Sequence, residues 1–127
     1  MNREKPIPSP VNERGQRVAL IFALAAERLS AYYEHGQWLN DGQCATLAAD
    51  WLRRSQRSLS LTERRQLSGL SDTLARQVAA SLSREAGLYT VHEMMEALDP
   101  NYHSELAETM MVECERLLDG PADEQPK

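Results

Sequence analysis

The sequence predicts an all-α fold, a compact five-helix bundle-like domain with short loops. Three observations predict it. Apolar residues recur at spacings of three and four through most of the chain, the period of a single helix face. Capping signals and breakers separate these stripes at helical lengths. No segment alternates apolar and polar residues as a half-buried strand does. The 127 residues, 42% hydrophobic, suffice for one modest core.

Residues 1–9 read as a flexible N-terminal tail, and residues 10–120 as a single helical domain. The first helix is expected from Pro10 to Glu34, with Ser9 as its cap and Pro10 in its first turn. Its stripe is Val18, Ile21, Phe22, Ala25, Leu29 and Tyr32, and Gly36 stands where a left-handed cap belongs. Asn40-Asp41-Gly42 marks a turn, with Asp41 near the cap of a second helix. That helix carries Cys44, Leu47, Ala48, Trp51 and Leu52 on one face and frays through Arg54–Ser58.

Ser60-Leu61-Thr62-Glu63 is a capping box that opens a third helix. Leu67, Leu70, Leu74, Val78 and Leu82 hold one face to about Ala86. This predicts a helix that passes through Gly69, against the rival of a break at Ser71-Asp72. Gly87 then serves as a cap. Thr90 and Glu93 form a second capping box, stapled by Tyr89 and Met94, that opens a short helix ending by Leu98. Asp99 as N-cap and Pro100 in the first turn start the last helix, with Tyr102, Leu106, Met110, Cys114 and Leu117 as its stripe. Gly120-Pro121 ends it, and 121–127 reads as a disordered C-terminal tail.

Composition narrows the functional classes. The longest apolar run, Ala19–Ala26, is far short of the roughly 20 residues that span a bilayer, so no membrane role is expected. Cys44 and Cys114 read as buried free thiols, which favours a cytoplasmic location. No phosphate loop, Cys-x-x-Cys, His-Glu-x-x-His or nucleophile elbow occurs, and no cofactor is expected. His92, Glu96 and His103 form the one metal or acid–base candidate. Capping and solvent exposure account for their neighbours equally well.

Charge is unevenly divided. Residues 1–84 hold 12 Lys and Arg against 8 Asp and Glu, whereas residues 85–127 hold 2 against 11. Arg53, Arg54, Arg57, Arg64 and Arg65 form a basic patch. A helix–turn–helix reading of this region, with Thr73, Arg76 and Gln77 reaching base edges, is the nucleic-acid alternative. Met94, Met95, Met110 and Met111 with Tyr102 form a soft apolar surface rimmed by Glu105 and Glu108, suited to docking on a protein. Trp38, Tyr32 and Tyr33 are a further aromatic group. The preferred reading is a non-enzymatic protein–protein interaction module, a small cytoplasmic regulator, adaptor or inhibitor that acts by occupying a surface. Its partner is a protein of unknown identity or, as a homodimer, a second copy.

Overall fold

The computed structural model describes residues 13–99 and 101–120. It is built from α1 (Glu13–His35), α2 (Asp41–Arg54), α3 (Leu61–Ser81), α4 (Arg84–Glu96) and α5 (Glu105–Asp119). No strand occurs among the described residues, and the fold is all-α as expected. No helix among them is long and apolar enough to cross a membrane.

α1 is the centre of the molecule. Amphipathic spacing predicts one buried stripe, but Leu20, Ile21, Phe22, Ala23, Leu24, Ala25 and Ala26 are all buried. A helix apolar on every side must be covered on every side. The other four helices do this: α2, α3, α4 and α5 each pack against α1. α3 also packs on α2 and α5, and α5 on α4. Burial of each large α1 side chain contributes roughly 1.5–3 kcal/mol, so this one segment dominates the core. α1 stops at Gly36, whose φ of 72° lets its N–H reach the Tyr32 carbonyl at 3.0 Å. The expected start at Ser9 and Pro10 lies outside the described residues.

α2 is capped by Asn40 rather than Asp41. The Asn40 side chain accepts from the Gln43 N–H at 2.8 Å, and Gln43 Oε1 accepts from the Asn40 N–H at 2.9 Å. Its far end does not fray. Arg57 N–H bonds to the Leu52 carbonyl and Gln56 N–H to that of Arg53, a Schellman closure with Gln56 at φ 58°.

α3 opens on the expected Ser60–Glu63 capping box and runs unbroken through Gly69. It ends at Ser81, earlier than its leucine stripe suggests. Leu82 and Ser83 form a two-residue break, and Ser83 caps α4 by accepting from the Ala86 N–H. Gly87 therefore lies inside α4 and is not a cap. Its missing side chain makes room for the ring of Tyr33, whose hydroxyl donates to the Leu82 carbonyl at 3.1 Å. Thr90 is likewise mid-helix, and its hydroxyl donates to the Ala86 carbonyl at 2.9 Å. The Tyr89–Met94 staple does not form, because Tyr89 is exposed while Met94 is in the core.

α5 starts later than Asp99-Pro100 implies. Ser104 is its N-cap, accepting from the Ala107 N–H. Asp99 instead accepts from the Asn101 N–H. Tyr102 thus belongs to the α4–α5 connection, not to the helix.

Candidate functional site

A groove of about 910 Å³ runs along α2 and α3. Small residues make it possible. Gly42, Ala45 and Ala48 recur every three residues on α2, and Ser68 and Gly69 face them from α3. A Cβ added to Gly69 would meet nothing within 4 Å. On α3 the lining residues Leu61, Arg65, Ser68, Asp72 and Arg76 follow helical spacing, so one face of the helix forms a wall.

The groove is anchored from beneath by Arg28 of α1, which is 3% exposed. Its Nε donates to Ser71 Oγ at 2.9 Å, and one terminal nitrogen reaches Asp72 at 3.1 Å. The other donates to Ser68, at 2.9 Å to Oγ and 3.2 Å to the carbonyl oxygen. A buried guanidinium is tolerable only with such partners. Asp72 also accepts from Arg76 Nε at 3.1 Å. The Arg76 guanidinium lies 4.5 Å over the Trp38 ring, and Trp38 stacks on Tyr32 at 4.6 Å. One end of the groove is thus fixed by a continuous chain of polar and aromatic contacts.

The other end is less satisfied. Arg64 and Arg65 line the groove and have no carboxylate partner among the described residues. Arg64 Nε is buried without a hydrogen-bond acceptor. Such an unmet donor is uncommon in folded proteins. No protein-family model, curated protein or solved structure matches this chain. The site is therefore read from its own chemistry.

The expected basic patch divides. Arg53 and Arg54 both pair with Asp50 of their own helix, Arg54 at 3.0 Å. Arg57 is exposed at the α2–α3 connection. Only Arg64 and Arg65 enter the groove. The corner that a helix–turn–helix requires at Ser71-Asp72 is absent, since α3 is continuous and Ser71 is buried against Arg28. Of the residues assigned to base contact, Arg76 is held by Asp72 and Trp38, while Thr73 donates to the Gly69 carbonyl.

The methionine surface is divided between the core and its edge. Met94 is fully buried, so no partner reaches it on the folded chain. Met95, Met110 and Met111 are partly buried against the core. Glu105 and Glu108 are exposed in the first turn of α5, where negative charge suits the helix dipole. Tyr102 is partly buried, and its hydroxyl donates to Glu93 at 3.0 Å. That bond, then burial and the charges of Glu93 and Glu96, raises its pKa above the ordinary tyrosine value. Val112 is exposed by 59% on α5, between acidic residues one turn away on either side.

His92, Glu96 and His103 are exposed and are not brought together. Among the described residues no group of three or more His, Cys, Asp or Glu is placed to hold a metal ion. Cys44 and Cys114 are free and buried. Burial pushes both thiols up, Cys114 to about 12, so neither is an activated nucleophile.

Sequence reasoning misses Arg28 and Ser68 as groove-lining residues, and Ser71 and Trp38 as the partners that hold Arg28 and Arg76. A signal does exist for Arg28. It lies one turn beyond Leu24 and Ala25 and next to Leu29, inside the most apolar helix. A charge in such a position needs a buried partner.

Proposed function

We propose that this chain is a non-enzymatic docking module, a small regulator that seats a segment of a partner protein in the α2–α3 groove. The groove itself carries the reading. It is concave, floored by small side chains, and held open by the Arg28 network rather than by a flexible loop. The α3 wall, preformed by that network, lowers the ordering cost of binding. The residues around the groove are suited to grip, not to reaction: it holds four arginines, one serine, one asparagine and two aspartates, with no histidine or cysteine among its lining. Free buried thiols accord with action in the reducing cytoplasm.

The test uses a plug. Gly69→Trp places a large ring in the channel at a position where an added Cβ meets nothing within 4 Å, and a thermal melt equal to that of the wild type checks that the fold is retained. Immobilised wild type should capture a protein from extracts of the source cells, and the Trp variant should lose it. Equal capture by both proteins, or none by either, overturns the proposal. Sizing of the purified chain tells whether the captured partner is a second copy.

A further inference from the structure

We infer that the segment received by the α2–α3 groove is acidic and amphipathic, with carboxylates for Arg64 and Arg65 and an apolar anchor for Leu61. This rests on the docking reading above and specifies the chemistry of the partner. Seven other arginines, Arg14, Arg17, Arg28, Arg53, Arg54, Arg76 and Arg116, already have carboxylates within the chain. Arg57, Arg84, Arg64 and Arg65 have none among the described residues, and of these four Arg64 and Arg65 line the channel. The buried Arg64 Nε has a hydrogen to donate and nothing to receive it. An incoming carboxylate supplies acceptors for the terminal nitrogens of both guanidinium groups, while the buried Arg64 Nε stays out of its reach.

The rest of the lining argues against a polyphosphate occupant. Asp41 and Asp72 also line the channel and would repel a continuous anionic backbone. Nucleic-acid binding draws on many unpaired cations, and here two are available in the groove. Leu61, 54% exposed, stands beside these arginines at the start of α3. Together with Leu39 and Ala45 it gives the channel an apolar component that suits a peptide with spaced anchors. From Leu61 to Arg76 the wall is about 22 Å long at 1.5 Å per residue. That matches roughly fifteen residues of helix or seven of extended chain.

The experiment is a titration of the full-length, isotope-labelled protein followed by its backbone amide resonances. The probes are a sixteen-residue amphipathic peptide of Leu, Ala and Glu, the same peptide with Gln for Glu, the same with Lys for Glu, and a single-stranded oligonucleotide. The Glu peptide should shift residues 41–48 and 61–76. The Gln and Lys peptides should bind at least about tenfold more weakly, as loss of a close interfacial charge pair implies. Arg64→Gln with Arg65→Gln should weaken the Glu peptide by a similar factor while leaving the thermal melt unchanged. Equal affinity of the Glu and Gln peptides, or an unaffected double variant, overturns the acidic assignment. So does preferential binding of the oligonucleotide, or no groove shift with any peptide. In each case the docking reading is decided separately by the Gly69→Trp capture.

Discussion

Gly69 and Gly87 both lie inside helices, and alanine should move stability in opposite directions at the two. At Gly69 nothing lies within 4 Å of an added Cβ. The substitution therefore delivers only the helix-propensity gain, about 0.5–1 kcal/mol of added stability. At Gly87 the added Cβ overlaps the Tyr33 ring, which is itself tied to the Leu82 carbonyl. Displacing a packed ring costs about 1–3 kcal/mol, which exceeds the propensity gain. Urea unfolding of the two variants checks the signs, and a stabilising Gly87→Ala would remove the close approach from the account. Gln56 offers a third case. It holds φ 58° at the Schellman end of α2, a conformation a side chain rarely adopts. Gln56→Gly should relieve that strain and raise stability by roughly 1 kcal/mol. An unchanged urea midpoint would mean the turn is not strained.

Glu63 ties the start of α3 to α1, because its carboxylate closes the Ser60 capping box and pairs with Arg17. The Arg17 hydrogen bond, then that from the Ser60 backbone, lowers its pKa from the ordinary 4.5. The folded chain thus binds this proton less tightly than the unfolded one. The resulting stabilisation is fully present above about pH 4.5 and is lost as pH falls through the lowered value. Glu63→Gln keeps the neutral capping contact and removes the titration. Melting temperatures of the two proteins should differ at pH 7 and draw together as pH falls below 4.5; a constant gap would show that Glu63 is not the group involved. The start of α3 is legible in the sequence because a capping box is a local signal satisfied within four residues. The α3–α4 break and the start of α5 are not. Thr90 and Asp99 carry equally good local signals, but distant contacts decide against them. Tyr33, about fifty residues before Leu82 in the chain, packs on Gly87 and so favours helix there. The Tyr102–Glu93 hydrogen bond accompanies a connection that continues to Ser104. The groove is hidden for the same reason, since Arg28 meets Ser71 and Asp72 across more than forty residues of sequence.

The helices differ in how much holds them. The middle of α1 is enclosed by the other four helices, so its amides there exchange with solvent only when the whole core opens. α2 buries only Cys44, Ala48 and Leu52, and its side toward α3 is hollowed by the groove. Local opening is cheapest where few apolar contacts must break. Native-state hydrogen exchange should therefore show two levels of protection. Residues 20–29 should exchange with the free energy of global unfolding, and residues 44–52 with a smaller one. This hierarchy bears on binding, because α2 is one wall of the proposed docking channel. A ligand that bridges α2 and α3 must stabilise the closed form by its binding free energy. Saturation with the acidic peptide should raise the protection of 44–52 and of 20–29 by the same free energy, because either opening releases the peptide. Uniform protection before any ligand is added would place α2 in the same cooperative unit as α1. The groove would then be a fixed slot rather than one that its occupant holds shut.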